Sequence, residues 1–160
     1  MKKIIATIVL LIGILSCTKD DFCLENPVTP QLILKFYDDA NRINVKKVER
    51  FSIIADGIID SLYTNQTIDS IVSIPLNTSV SETIYTIKMN NIDGKTSNNE
   101  IVKLTINYTP ENIYVSRSCG FKIIFNNVTF NPDTNSWIKG FTPNTSTIEN
   151  QDEAHVQIFH

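Results

Sequence analysis

From Gln31 onward the chain alternates between apolar and polar positions. In IVKLTINY (101–108), Val102, Leu104, Ile106 and Tyr108 fall on one side and Lys103, Thr105 and Asn107 on the other. That period of two marks a half-buried antiparallel strand. Runs of strand length and β-rich composition recur in QLILKFY (31–37), RFSIIADGI (50–58), DSIVSIPL (69–76), ETIYTIKM (82–89), NIYVSRS (112–118), FKIIFNN (121–127) and AHVQIFH (154–160). Phe121, Ile123 and Phe125 share one face, and Val156 and Ile158 oppose His155 and Gln157. Asp93-Gly94 predicts a hairpin turn, while NNVTFNPDTNSW and FTPNTS read as Asn-, Thr- and Pro-rich connections. No window holds a sustained helical period with capping residues. The expectation is an all-β fold, an antiparallel β-sandwich of seven or eight strands. A true immunoglobulin domain is excluded: position 117 is Arg where that fold wants tyrosine, and Trp137 follows both domain cysteines instead of lying between them.

The first 30 residues follow another pattern. Met1-Lys2-Lys3 precedes an apolar run, Ile4 to Leu15, in which Thr7 is the one polar residue. A membrane span needs roughly 20 residues, so this run fits a secretory h-region. Ile14-Leu15-Ser16-Cys17 resembles the bacterial lipobox. That resemblance implies removal of residues 1–16, a diacylglycerol on the Cys17 thiol and an acyl chain such as palmitate on its amino group. The mature chain would then be held on a lipid bilayer without crossing it. Residues 17–30 read as a lipidated tether, punctuated by the prolines of ENPVTP, and residues 31–160 as a single domain. Thr18-Lys19-Asp20-Asp21 reads either as a solvated polar tether or, since it resembles the tag that follows the lipidated cysteine in surface lipoproteins of Bacteroidota, as an export signal that implies the outer membrane and exposure at the cell surface; Thr at position 18, by the same resemblance, argues against inner-membrane retention.

Charge and cysteine usage narrow the chemistry. Loss of Lys2 and Lys3 with the signal leaves 12 basic against 17 acidic residues, a formal charge of −5 over 144 residues. Without basic clusters, nucleic acid is excluded as a partner. With Cys17 acylated, Cys23 and Cys119 remain, and an exported chain with one such pair is expected to form a disulfide.

Several motifs are set aside on chemical grounds. GKT (94–96) lacks the glycine five positions earlier that a phosphate loop requires, since that position is Met89; DEAH (152–155) is a chance match, and no nucleotide is expected. Asn131, Asp133 and Asn135 alternate like the start of a calcium loop, but Ser136 and Thr142 stand where glycine and glutamate belong. His155 and His160 match no zinc spacing, so no metal and no other cofactor is expected; His155 reads as solvated or hydrogen-bonded and His160 as a fraying terminus. Asn65, Asn77, Asn107, Asn127 and Asn144 begin Asn-x-Ser/Thr triplets, which follow from composition. DSL (60–62) and DSI (69–71) resemble the Asp-Ser/Thr-aliphatic O-glycosylation acceptor of Bacteroidota, which implies Ser61 and Ser70 as modified residues.

The lipobox at Cys17, DFC ending at Cys23, SIPLNTS, YVSRSCGFK and IENQDEAHVQIF together resemble a family of Bacteroidota lipoproteins, that of the domain of unknown function 6452. The resemblance implies location and fold, not chemistry. The functional expectation is a membrane-anchored envelope lipoprotein, non-enzymatic, that binds a glycan or serves an envelope protein as accessory. Exposed aromatics among Tyr63, Tyr85, Tyr114 and Trp137 would favour a glycan. The alternative is a small envelope hydrolase with His155 as base.

Overall fold

Among the described residues the alternation resolves into nine strands. The computed structural model describes Cys23 and residues 28–90, 92–133 and 137–160. Its strands are β1 (Leu32–Tyr37), β2 (Val48–Ala55), β3 (Tyr63–Ile68), β4 (Ile71–Ile74), β5 (Glu82–Met89), β6 (Glu100–Ser116), β7 (Gly120–Pro132), β8 (Gly140–Pro143) and β9 (Val156–Phe159). One 3₁₀ turn, Thr96–Asn98, is the only helical element among the described residues. Two sheets form, a four-stranded one ordered β4-β1-β9-β8 and a five-stranded one ordered β3-β2-β5-β6-β7. The β-sandwich is therefore as expected, with one exception to its antiparallel character: β1 and β9 run parallel, with Leu34 opposite Val156.

Alternation places the core. Leu32, Leu34 and Phe36 of β1 meet Tyr85, Ile87, Val102, Leu104 and Ile106 of the facing sheet, all essentially removed from water. Each such side chain contributes on the order of 1.5–3 kcal/mol of transfer free energy, which is what closes one sheet over the other. Where the period slips, the backbone absorbs the extra residue. Val48, Phe51 and Ile53 of β2 all point inward, and register shifts against β3 accompany a positive φ of 48° at Arg50. Phe125 and Val128 of β7 are likewise both buried, across a shift at Asn127, whose φ is 54°. Asn65 and Asn127, each the head of an Asn-x-Thr triplet, use the tolerance of asparagine for left-handed backbone.

Several sequence expectations are corrected by this geometry. IVKLTINY and NIYVSRS are two parts of one 17-residue strand, β6, with Pro110 inside it. The first half of NNVTFNPDTNSW continues β7, and FTP belongs to β8. Asp93-Gly94 does not close a two-residue hairpin. It sits in a longer β5–β6 connection organised by the buried Asn90, whose Oδ1 accepts the N–H groups of Ile92 and Asp93 at 3.0 and 3.2 Å and whose Nδ2 donates to the Lys95 carbonyl at 2.9 Å. Gly94 is needed there: its φ is 80°, and a Cβ would lie 3.0 Å from Arg50 Nε.

Register fixes the two ends of the molecule. Leu32↔Ile74, Ala55↔Tyr85 and Glu82↔Asn107 place the start of β1, the β2–β3 and β4–β5 connections and the β6–β7 turn at one end. The β1–β2 and β5–β6 connections lie at the other. Strand β5 stops at Glu82↔Asn107, extended only by the Tyr108 N–H to the Ser81 carbonyl at 3.0 Å. From Thr109 to Ser116, eight residues or roughly 26 Å of strand, β6 has β7 as its sole strand partner among the described residues.

Candidate functional site

The outer part of the β6–β7 ribbon gathers the features that read as functional. The face that is core farther in continues along it: Phe125 is fully buried, Ile123 partly so, and Phe121 is 63% exposed. Opposite Phe121 stands Tyr114, 59% exposed, with ring centroids 5.4 Å apart in an edge-to-face contact. Beyond the pair the ribbon turns through Arg117, Ser118 and Cys119, with Gly120 at φ 74°. The Cys119 N–H donates to Ser116 Oγ at 3.0 Å, which orients the cysteine. Cys119 is bonded to Cys23, the two Cα atoms 4.7 Å apart across a sequence separation of 96. The disulfide expected from cysteine arithmetic thus holds Cys23 against this turn.

Two concave regions lie elsewhere. One, of about 350 Å³, is walled by Asn144, Thr147, Glu149, Asp152, Glu153 and His155. His155 is buried and hydrogen-bonded, the second of the two states read for it, because parallel β9 brings it against β1. Its Nδ1 accepts the Ile33 N–H at 2.9 Å, and its Nε2 lies 3.0 Å from the Asn150 carbonyl. An acceptor at Nδ1 requires the proton on Nε2, which then donates to Asn150. Burial lowers the pKa of this ring, the Asn150 bond opposing it in part. A neutral imidazole with both nitrogens engaged by main chain turns no lone pair toward the cleft.

The other region, about 380 Å³, lies between the β2–β3 and β4–β5 connections, with Asp56, Leu76, Glu82, Thr83 and Tyr85 in its walls. Its hydroxyls are satisfied internally. Tyr85 donates to the Pro75 carbonyl, Tyr108 donates to the Asn77 carbonyl at 2.8 Å, and Thr83 accepts the Asn77 N–H at 2.9 Å. Burial pushes both phenols up, with the neighbouring Tyr108 adding to the rise at Tyr85. Both rings act as closures of the sandwich end.

His160 does not fray. Its N–H donates to Tyr37 at 3.1 Å, and its main-chain oxygen accepts from Lys46 Nζ at 2.7 Å and from the Asp39 N–H at 3.2 Å. Its ring packs edge-on to Phe36 and Trp137, with centroids 5.9 and 5.3 Å away. Neither ring nitrogen has a hydrogen bond, and neither does the adjacent Trp137 Nε1. Burial, with Lys46 adding to it, pushes the His160 pKa down to about 4.

Of the four aromatics weighed for glycan stacking, Tyr85 and Trp137 are buried, Tyr63 is half-buried and packs on Phe51, and Tyr114 alone is exposed. Ser61 is exposed in the β2–β3 connection; Ser70 is half-buried, and its carbonyl accepts the Phe36 N–H at 2.8 Å. Asp133 bonds the β6 edge, its Oδ1 accepting the Lys103 N–H at 3.1 Å, while Asn135 lies outside the described residues. Cys17 and residues 18–21 also lie outside them. No group of three or more His, Cys, Asp or Glu side chains suited to a metal occurs among the described residues, and no described helix is long and apolar enough to cross a membrane. Phe121 was missed as a surface residue. Counting cross-strand partners outward from the Arg117–Cys119 turn sets it opposite Val115; a register irregularity between Tyr114 and Ser116, which no local residue pattern announces, brings it beside Tyr114 instead.

Residues 50–160, which include the whole β6–β7 ribbon and Cys119, match the family of unknown function DUF6452, and the chain belongs to that family. No curated protein and no solved structure matches it.

Proposed function

We propose that this member of the family is an exported lipoprotein of the bacterial outer membrane, of the Bacteroidota type, acylated at Cys17 and acting without catalysis as a binding or accessory module. The observation that carries the reading is the Cys23–Cys119 disulfide, six residues after a lipobox-like cysteine. A lone disulfide of this span belongs to an oxidising compartment, and the sequence before it has the form of a lipoprotein signal. The exposed face at the ribbon's outer end supports binding over catalysis. So does the engagement of both His155 nitrogens, which leaves the hydrolase alternative without its base. Ser61 and Ser70 are proposed as glycosylation acceptors on their local motif, with Ser61 the more accessible of the two.

Substitution Cys17→Ala tests the anchor: the protein should leave the membrane fraction for the soluble one, and retention in the membrane would overturn the reading. Protease added to whole cells should cleave the wild-type chain if it faces outward. Crosslinking in intact cells, followed by capture of the lipoprotein, should recover one stoichiometric envelope protein if the accessory role holds. Intact mass of the natively purified chain separates glycosylated from bare protein.

A further inference from the structure

We infer that the Tyr114–Phe121 pair is a second membrane contact, seated at the headgroup–acyl boundary of the bilayer beside the acylated Cys17. The inference rests on the lipid-anchor reading above and adds an orientation to it.

Three observations converge. The pair is exposed on both strands although its face is that of the core, and ring-on-ring contact holds it as a preformed wedge. The wedge is also tied to the tether. Phe121 is two residues from Cys119, Cys119 is bonded to Cys23, and Cys23 is six residues from Cys17. Six residues reach at most about 20 Å, so an acylated Cys17 keeps the ribbon's turn within that distance of the headgroups. Finally, the charge is of the matching sign. Residues 112–122 contain Arg117 and Lys122 and no acidic side chain, within a mature chain whose formal charge is −5; Lys122 Nζ also donates to the Glu149 carbonyl at 3.2 Å, which leaves Arg117 as the cation of the turn itself. Aromatic rings that straddle a polar boundary, flanked by long cationic side chains that reach for phosphate, are the composition of a membrane-interface contact. A glycan platform or a protein-docking face would require neither the basic turn nor the covalent tie to the tether.

The contact has a mechanical meaning. Lipid chains alone fix one point and leave the domain free to swivel. A second contact at the end of a two-stranded ribbon fixes its tilt, with the β1–β2 and β5–β6 connections facing away from the bilayer.

The test uses the full lipidated chain reconstituted in vesicles of phosphatidylethanolamine and phosphatidylglycerol, with tryptophan fluorescence as the readout. Wild type supplies the background, since its one tryptophan, Trp137, is buried. Phe121→Trp and, separately, Tyr114→Trp each place a second indole at an exposed site. In vesicles whose acyl chains are brominated near the headgroup, the added emission should shift to the blue and fall at least twofold. Ile43→Trp, at the opposite end and 88% exposed, should be unaffected. If the chain floats with the vesicles while both tip indoles stay unquenched, the inference is overturned and the anchor stands. Equal quenching at position 43 also overturns it, because the contact is then not oriented. If the wild-type chain does not float at all, the anchor reading fails and the inference with it.

Discussion

The inner and outer parts of the β6–β7 ribbon are built by one rule and meet opposite fates. In the inner part, Leu104 and Ile106 alternate with Lys103 and Thr105 and are wholly buried under the four-stranded sheet. In the outer part the same face carries Tyr114 and Phe121, and both are exposed. Alternation reports the pleat of a strand, not what lies across from it. Burial depends on how far the second sheet extends, and its strands are only four to six residues long against the 17 of β6. A long strand in a short sandwich must leave part of its apolar face uncovered, and that part is where a surface contact can be made.

Four experiments bear on this contrast. The largest effect is expected from opening the disulfide. Cys23→Ser with Cys119→Ser should lower stability by about 4–5 kcal/mol, the chain-entropy value for a loop near 100 residues. The loss should be read by urea unfolding, and amide exchange should rise in residues 109–126 more than in residues 100–107. In the inner part, Leu104→Ala should cost about 4 kcal/mol, because a close-packed site collapses only partly around the cavity. A third effect comes from His160, wedged between Phe36 and Trp137. Its folded pKa of about 4 lies below the ordinary value of 6.5, so the unfolded chain binds the proton more readily. Stability from this group is complete above pH 6.5 and is lost as pH falls through 4, by roughly 3 kcal/mol at 1.36 kcal/mol per pH unit. His160→Phe should flatten that part of the stability–pH curve. Smallest is the outer pair: Tyr114→Ala or Phe121→Ala should change stability by less than about 1 kcal/mol, since little is lost except one edge-to-face contact. A loss at Phe121 as large as that at Leu104 would show that the outer face is covered after all.

The sequence made the strongly alternating strands legible. Strands β1, β5, the inner part of β6 and β9 were read from their own residues, and so was the Cys23–Cys119 pairing. Strand β3 was not, because TNQT is the polar stretch of an edge strand that buries almost nothing. Nor was β8, whose Gly-Phe-Thr-Pro has turn composition and is defined by its partner β9. The continuity of β6 was hidden by Pro110. Both the N–H and the carbonyl of its cross-strand partner Phe125 bond Ile148, on the far side from β6. Pro110 therefore sits in a non-hydrogen-bonded pair, and its ring nitrogen faces the side where β5 has already ended. The burial of His155 and the fixed end at His160 were not legible for a related reason: no local pattern says that β9 will lie parallel to β1 and be covered on both faces.

That parallel pairing also governs the order of events in folding. Ile33 and His155 exchange hydrogen bonds across 122 residues, and β9 stands between β1 and β8 in its sheet. The four-stranded sheet therefore cannot assemble until the last strand has arrived, and contacts of such high contact order form slowly. Until β9 arrives, β1 has β4 as its one strand partner among the described residues, while the five-stranded sheet, which contains no β9, carries no such dependence.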